Sequence, residues 1–336
     1  MNTEKILKQC FPNADKIRIT ENSTNEKHRS VISNIIDLTI EYEEDGRENR
    51  KYLIIMKVPT NQEASSFHDE LGFFTKEALI PRAHFHAATY RVSQDDPDIL
   101  SNKILHISPT LEWRQRMAIF WEPIFMELLA KSNESLLIPK FQNVSHYLKR
   151  EDDDATSKLQ YSKFKFSVLN HGDFRNENLL LRYASNGMVD GVKFVDFQIS
   201  YWSTPVCDFM YLLLHSAQAD VLENHFEILL EWYLECLNTK LKTLSCSTIY
   251  TKQNFLQDLQ TLYFFPILLV MNAAFIFCPL DRAQLLDTIY QKNTDNIQHY
   301  IEACLKDELF TDHVLSGLKL CEKLGLLKSS HCDSPN

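Results

Sequence analysis

Asp173, Asn178 and Asp196 are the residues whose types and spacing could do chemistry. Asp173 lies in Leu169-Asn170-His171-Gly172-Asp173-Phe174-Arg175-Asn176-Glu177-Asn178, and Asp196 in Val195-Asp196-Phe197-Gln198. A carboxylate, an amide five residues later and a second carboxylate at a strand end can place a hydroxyl beside a metal-bound phosphate. Asp173 would accept the hydroxyl's proton, while Asn178 and Asp196 would supply hard oxygen ligands to Mg²⁺ between nucleotide phosphate oxygens. Taken alone, Asp173 could equally cap backbone groups in a turn. Its neighbours tip the balance: His171 can brace the loop, and an expected hairpin brings Asp196 back beside Asn178.

Further residues extend this set. Lys57 ends the apolar run Tyr52–Val58, and Glu70 lies on the next expected helix. Together they could form an ion pair that holds a nucleotide phosphate, although a surface lysine at a strand end is the plainer reading. Asp208, in Cys207-Asp208-Phe209-Met210, either caps a helix or accepts hydrogen bonds from the loop that bears Asp173. No glycine precedes Gly46, so the candidate phosphate-covering turn is the polar stretch Asn22–Ser30. Trp202 could line an apolar pocket, but aromatic residues are more often core.

The elements that must position these groups follow from patterning. Residues 17–42 read as a strand or hairpin region, with Asp45-Gly46 as a turn. Tyr52–Val58 reads as a buried strand stopped by Pro59. Phe67–Leu79 reads as a helix that ends before Pro81. From Arg82 to about Lys149 the pattern is mostly helical, and the acidic run Glu151–Asp154 reads as a solvated loop. Residues 166–200 turn to β-type patterning around the chemical loop: strands Phe166–Leu169, Leu179–Tyr183 and Val192–Val195, with a turn at Ser185-Asn186-Gly187. Beyond Pro205 helices run to about residue 327, and Ser329–Asn336 reads as a frayed tail. A β-rich segment ahead of a larger helical one is the pattern of an α+β, two-lobed, protein-kinase-like fold. The expected domains are a small lobe at 1–81, a helical lobe at 82–328 with the hairpin 166–200, and the tail.

Composition narrows the partners. Thirty-five basic against forty-five acidic residues give a net charge of −10 without a basic stripe, which argues against nucleic acid. Thr261–Leu280 is free of charge and long enough to cross a bilayer, but Pro266, Asn272 and Pro279 interrupt it, so a buried helix is expected. The N-terminus has no signal-peptide pattern. The eight cysteines form no CxxC pair and suggest neither zinc nor a disulfide framework. Reduced thiols and a cytoplasmic location are therefore expected.

The chain resembles the ecdysteroid kinase-like family, also called CHK kinase-like, relatives of choline and aminoglycoside kinases. The matching residues are His171-Gly172-Asp173 through Asn178, Val195-Asp196-Phe197-Gln198, Pro205 with Asp208, and Ile54-Ile55-Met56-Lys57 with Glu70. Ala83-His84-Phe85-His86-Ala87-Ala88-Thr89-Tyr90 resembles a helix motif of the same family. The resemblance implies ATP- and Mg²⁺-dependent phosphorylation of a small-molecule alcohol, with ecdysteroid hormones as the namesake substrates. It also implies a departure at Leu79-Ile80-Pro81-Arg82. There the family has several tens of residues, including strands of the small lobe and the hinge that contacts adenine. Without them ATP binding is expected to be weak or absent, and an inactive pseudokinase that binds a small molecule is the alternative.

Overall fold

The computed structural model describes residues 16–22, 33–44, 47–59, 71–98, 111–150, 163–183, 189–291 and 296–327. The turns at 23–30, 45–46 and 185–187, the helix start at 67–70, the acidic run 151–154 and the tail 329–336 lie outside the described residues. The chain divides into two units at Glu70/Leu71.

In the first unit, β1 (Lys16–Asn22), β2 (Ser33–Glu44) and β3 (Arg47–Pro59) form an antiparallel sheet in the order β1-β2-β3. Ile35, Ile36, Thr39, Ile40 and Tyr42 in β2 and Tyr52, Ile54, Ile55 and Val58 in β3 are the β-branched and aromatic types that favour pairing. Lys57 stands opposite Ile35, and a bulge shifts the register between Tyr42 and Glu44.

The second unit is mostly helical. Its first helix, α1 (Leu71–Asp95), carries Pro81 in its interior, so the expected stop before Pro81 is not observed. Proline removes a backbone donor and costs a helix interior roughly 3 kcal/mol. Burial offsets this cost: Ala78, Leu79, Ala83, Ala87 and Tyr90 recur at helical spacing and are all buried. Helices α2 (Leu111–Lys131) and α3 (Ile138–Lys149) follow. Two short antiparallel ladders come next. β4 (Val168–Asn170) pairs with β7 (Tyr201–Ser203), and β5 (Leu179–Tyr183) pairs with β6 (Val189–Phe194). The first and last of these sequence-read strands are thus shifted by one to three residues from expectation.

The chain closes with α4 (Val206–Ser216), α5 (Ala219–Asn224), α6 (Phe226–Thr243), α7 (Lys252–Thr261), α8 (Phe264–Phe277), α9 (Arg282–Gln291), α10 (Ile297–Lys306) and α11 (Glu308–Lys323). α1 packs along α6, and α8 packs against α4 and α11. α8 is buried nearly all round, as its almost wholly apolar, charge-free sequence requires. Among the described residues no single helix is long and apolar enough to cross a membrane, and α7 and α8 meet at a 75° bend. Trp202 is 2% exposed and belongs to the core rather than to a pocket lining.

Candidate active site

The loop between β4 and β5 carries the candidate chemistry, and its shape is set by groups that the protein buries. Gly172 has φ +86, and a Cβ built there would lie 2.3 Å from the Ile199 carbonyl oxygen. Only glycine fits both the left-handed conformation and that close approach. Next to it, the His171 Nε2–H donates to the Val195 carbonyl at 2.7 Å, tying the loop to the end of β6. A carbonyl can only accept, so Nε2 carries a proton, as in the neutral tautomer protonated there. Burial, the largest influence on this ring, lowers its pKa and agrees with that state.

Asp208 holds the loop from behind. Its Oδ2 accepts the His171 backbone N–H at 2.8 Å and its Oδ1 that of Gly172 at 3.1 Å. In return the Asp208 N–H donates to Asn170 Oδ1 at 3.2 Å. α4 has no side-chain cap, so of the two sequence readings the geometry is that of a loop acceptor. Such a fully buried carboxylate needs a counter-charge. Arg82 Nη1 lies 3.4 Å from Asp208 Oδ2, with its guanidinium packed 4.1 Å from the Phe174 ring centroid and 4.3 Å from that of Phe194. His86 Nε2–H also donates to Oδ2, at 3.2 Å, while the Tyr233 hydroxyl lies 2.6 Å from His86 Nδ1. Burial opposes ionisation of Asp208, but Arg82 foremost, then His86 and the backbone donors, hold its pKa down at about 2. Burial also pushes His86 down to about 4, so the imidazole is neutral, donates to Asp208 and accepts from Tyr233.

On the other side of the loop, Asp173 is held by three partners. The Tyr211 hydroxyl donates to Oδ1 at 2.8 Å, and Asn178 Nδ2 donates to Oδ2, also at 2.8 Å. Arg175 Nε sits 3.0 Å from Oδ1 as an ion pair, off the hydrogen-bonding direction. Burial raises the carboxyl's pKa, yet Arg175 and the donors from Tyr211 and Asn178 outweigh it, leaving Asp173 below its ordinary range. Tyr211 is itself fixed by stacking on His215, with centroids 4.1 Å apart and rings 14° from parallel.

Asn178 ends a single 3₁₀ turn, Asn176–Asn178, and is 2% exposed. The Val195 N–H donates to its carbonyl at 3.0 Å, continuing the β5–β6 ladder beyond the Leu179–Phe194 pair. Asp196 is therefore the next residue along, in the left-handed conformation with φ +70. A non-glycine residue there is under backbone strain, which is a frequent mark of functional positions. Its carboxylate is exposed and, among the described residues, has no hydrogen bond or ion pair. The structure thus brings Asp173 and Asn178 into contact and seats Asp196 one residue past the strand bond to Asn178. Lys57 lies in β3, but its side chain and Glu70 lie outside the described residues.

Arg82, His86, Tyr233, Tyr211 and Arg175 were not singled out as site residues by sequence reasoning. A signal was present for some of them. Arg82 and His86 are four apart on an otherwise apolar helix face, and Tyr211 follows Asp208 by three on α4. What no spacing reveals is that α1 and α4 converge on one loop. Thr89, also on α1, completes the convergence by accepting the Leu169 N–H at 3.2 Å.

Among the described residues no group of three or more His, Cys, Asp or Glu is arranged to hold a metal ion. Asn178 and Asp196 offer one amide oxygen and one carboxylate, a donor pair that could hold Mg²⁺ only with further ligands from phosphates and water. The model of the ecdysteroid kinase-like family matches residues 82–246, a span that takes in Arg82, His86, the loop, Asp196, Asp208 and Tyr233. No curated protein and no solved structure matches the chain.

Proposed function

This chain belongs to the ecdysteroid kinase-like family over residues 82–246, and we propose that it is an ATP- and Mg²⁺-dependent phosphotransferase acting on a hydroxyl of an ecdysteroid-like small-molecule alcohol. The observation that carries this reading is the joint placement of Asp173, Asn178 and Asp196. Asn178 donates to Asp173 at 2.8 Å, and its carbonyl receives the backbone N–H of the residue before Asp196. In this reading residues 1–81 are the small lobe, with Lys57 and Glu70 as the phosphate-holding pair, and residues 82–328 are the helical lobe.

Asp173 would orient the substrate hydroxyl. Its lowered pKa makes it a weak base, so it would take the proton late, once the hydroxyl oxygen is committed to phosphorus. Tyr211 and Asn178 keep the carboxylate from rotating, and Arg175 keeps it ionised. Asn178 and Asp196 fit a Mg²⁺ because both offer oxygen donors and the protein leaves the Asp196 carboxylate exposed. When bound between nucleotide phosphates, the ion supplies charge neutralisation. Asp208 would position the loop rather than touch the substrate.

The test is transfer of labelled phosphate from Mg-ATP to a panel of ecdysteroid alcohols. Asp173→Asn should lower kcat by about 10²- to 10⁴-fold, and Asp196→Asn should abolish transfer. Undiminished transfer in either variant would remove that residue from its role. A second reading is favoured by the unbroken course of α1 through Leu79–Arg82, which leaves no strand or hinge at the point where the family has both. It describes a pseudokinase that binds a small alcohol without nucleotide. Steroid binding unaffected by Mg-ATP, with no thermal shift on adding Mg-ATP, is its expected signature; a shift of several degrees refutes it.

A further inference from the structure

Cys278 and Cys304 are 26 residues apart in sequence, yet their Sγ atoms lie 3.8 Å from each other inside the second unit. Cys278 terminates α8 and Cys304 sits in α10. Neither takes part in the candidate active site, and no motif in the sequence pairs them. Two thiols in van der Waals contact need only about 2 Å of closure to bond. We propose that Cys278 and Cys304 are a peroxide-sensitive thiol pair, reduced at rest and convertible to a disulfide that ties the end of α8 to α10.

The surroundings give the two sulfurs different roles. Cys278 is 6% exposed, whereas Cys304 is fully buried. The two thiols share a hydrogen bond in which either sulfur can donate, while Cys278 alone also receives a backbone N–H from Leu280 and lies near the Arg282 guanidinium. These groups hold the Cys278 thiol below its ordinary pKa, although burial works the other way. Cys304 is pushed far up by that same hydrogen bond and by burial. Buried Cys207 shows the contrast, since burial pushes its thiol up to about 12. Cys278 is therefore the attacking sulfur and Cys304 the resolving one.

The Cys278 thiolate attacks one peroxide oxygen, the O–O bond breaks, and the departing alkoxide or hydroxide takes a proton, leaving a sulfenic acid on Cys278. Cys304, giving up its proton, then attacks the Cys278 sulfur. The S–O bond breaks and water leaves. Two thiols lose two electrons in all, and the peroxide gains them to become an alcohol or water plus that second water.

The test uses the full-length chain, reduced, desalted and exposed to hydrogen peroxide, then alkylated and digested without reductant. Tryptic peptides 253–282 and 293–306 carry one cysteine each, Cys278 and Cys304, so the linked product is unambiguous. The expected result is that linked species, reversed by dithiothreitol, together with a rise in Tm of roughly 5 °C from closing the loop. Cys304→Ser and Cys304→Ala should instead accumulate a sulfenic acid on Cys278 that a dimedone probe captures. If both thiols stay fully alkylatable while partly exposed Cys236 or Cys246 is oxidised, or if Cys278 links to another cysteine, the proposal is overturned. No nucleotide or alcohol enters this assay, so its outcome is independent of whether the phosphotransferase reading holds.

Discussion

Replacing Asp208 tests the support beneath the loop that bears Asp173 without needing any turnover. Its carboxylate accepts two backbone N–H groups, at 2.8 and 3.1 Å, and faces a fully buried Arg82 and His86. Holding the pKa at about 2, against 3.8 for a free aspartate, corresponds to about 2 kcal/mol of stability carried by the charge. The folded pKa is depressed, so this contribution is present above the unfolded value and is lost as pH falls from about 4 through about 2. Asp208→Asn keeps the shape but removes the charge facing Arg82 and sets an amide N–H against the donor of Gly172 or those of His171 and His86. It should cost about 2–3 kcal/mol at neutral pH. Asp208→Ala leaves two buried N–H groups and a buried guanidinium without their acceptor, and should cost about 4–5 kcal/mol. A loss of that size is a large part of the 5–15 kcal/mol that holds a typical domain.

Urea unfolding of Asp208→Asn, Arg82→Met and the double variant forms a thermodynamic cycle. Met preserves the length of the side chain that lies over Phe174 and Phe194 while removing its charge. Arg82→Met should be less destabilising in the Asp208→Asn background than in the parent, by at least about 1 kcal/mol. Strict additivity, or an Asp208→Asn variant as stable as the parent, would refute the argument that this ion pair supports the loop.

Two other perturbations read different parts of the same structure. Gly172→Ala meets the Ile199 carbonyl at 2.3 Å from a φ of +86, and should lose about 3 kcal/mol or more in urea unfolding; retention of full stability would mean that the loop is not held in this conformation. His86 and His215 are held neutral by burial, at about 4 and about 3 against 6.5, so the unfolded chain binds more protons than the folded one between those values. Their contribution is complete above about pH 7 and is lost as pH falls through that window, at about 2 kcal/mol per histidine by pH 5. His86→Gln should therefore shrink the stability difference between pH 7 and pH 5 by about that amount, and an unchanged difference in urea unfolding would contradict it.

Asp173, Asn178 and Asp196 were legible in the sequence because the constraint on them is local. A loop and a two-stranded hairpin fix their order and separation, and period-two patterning on either side reveals the hairpin. The buried character of α8 was legible for a similar reason, since an apolar stretch interrupted by Pro266 and Asn272 suits a protein interior better than a bilayer. The course of α1 was not. A proline is a local signal to stop, and the burial of Ala78, Leu79, Ala83 and Ala87 that overrides it exists only once other helices have packed there.

The sequence by itself therefore determined which groups could handle a proton and a cation, and the short-range geometry that carries them. Only the tertiary structure decided what holds those groups in place. Arg82 and His86 reach Asp208 across more than a hundred residues, and Tyr211 reaches Asp173 across thirty-eight. The physical reason lies in burial. Buried charges and loop N–H groups must find partners wherever the packed helices bring them, and that is a property of the assembled core, invisible to the spacing along the chain.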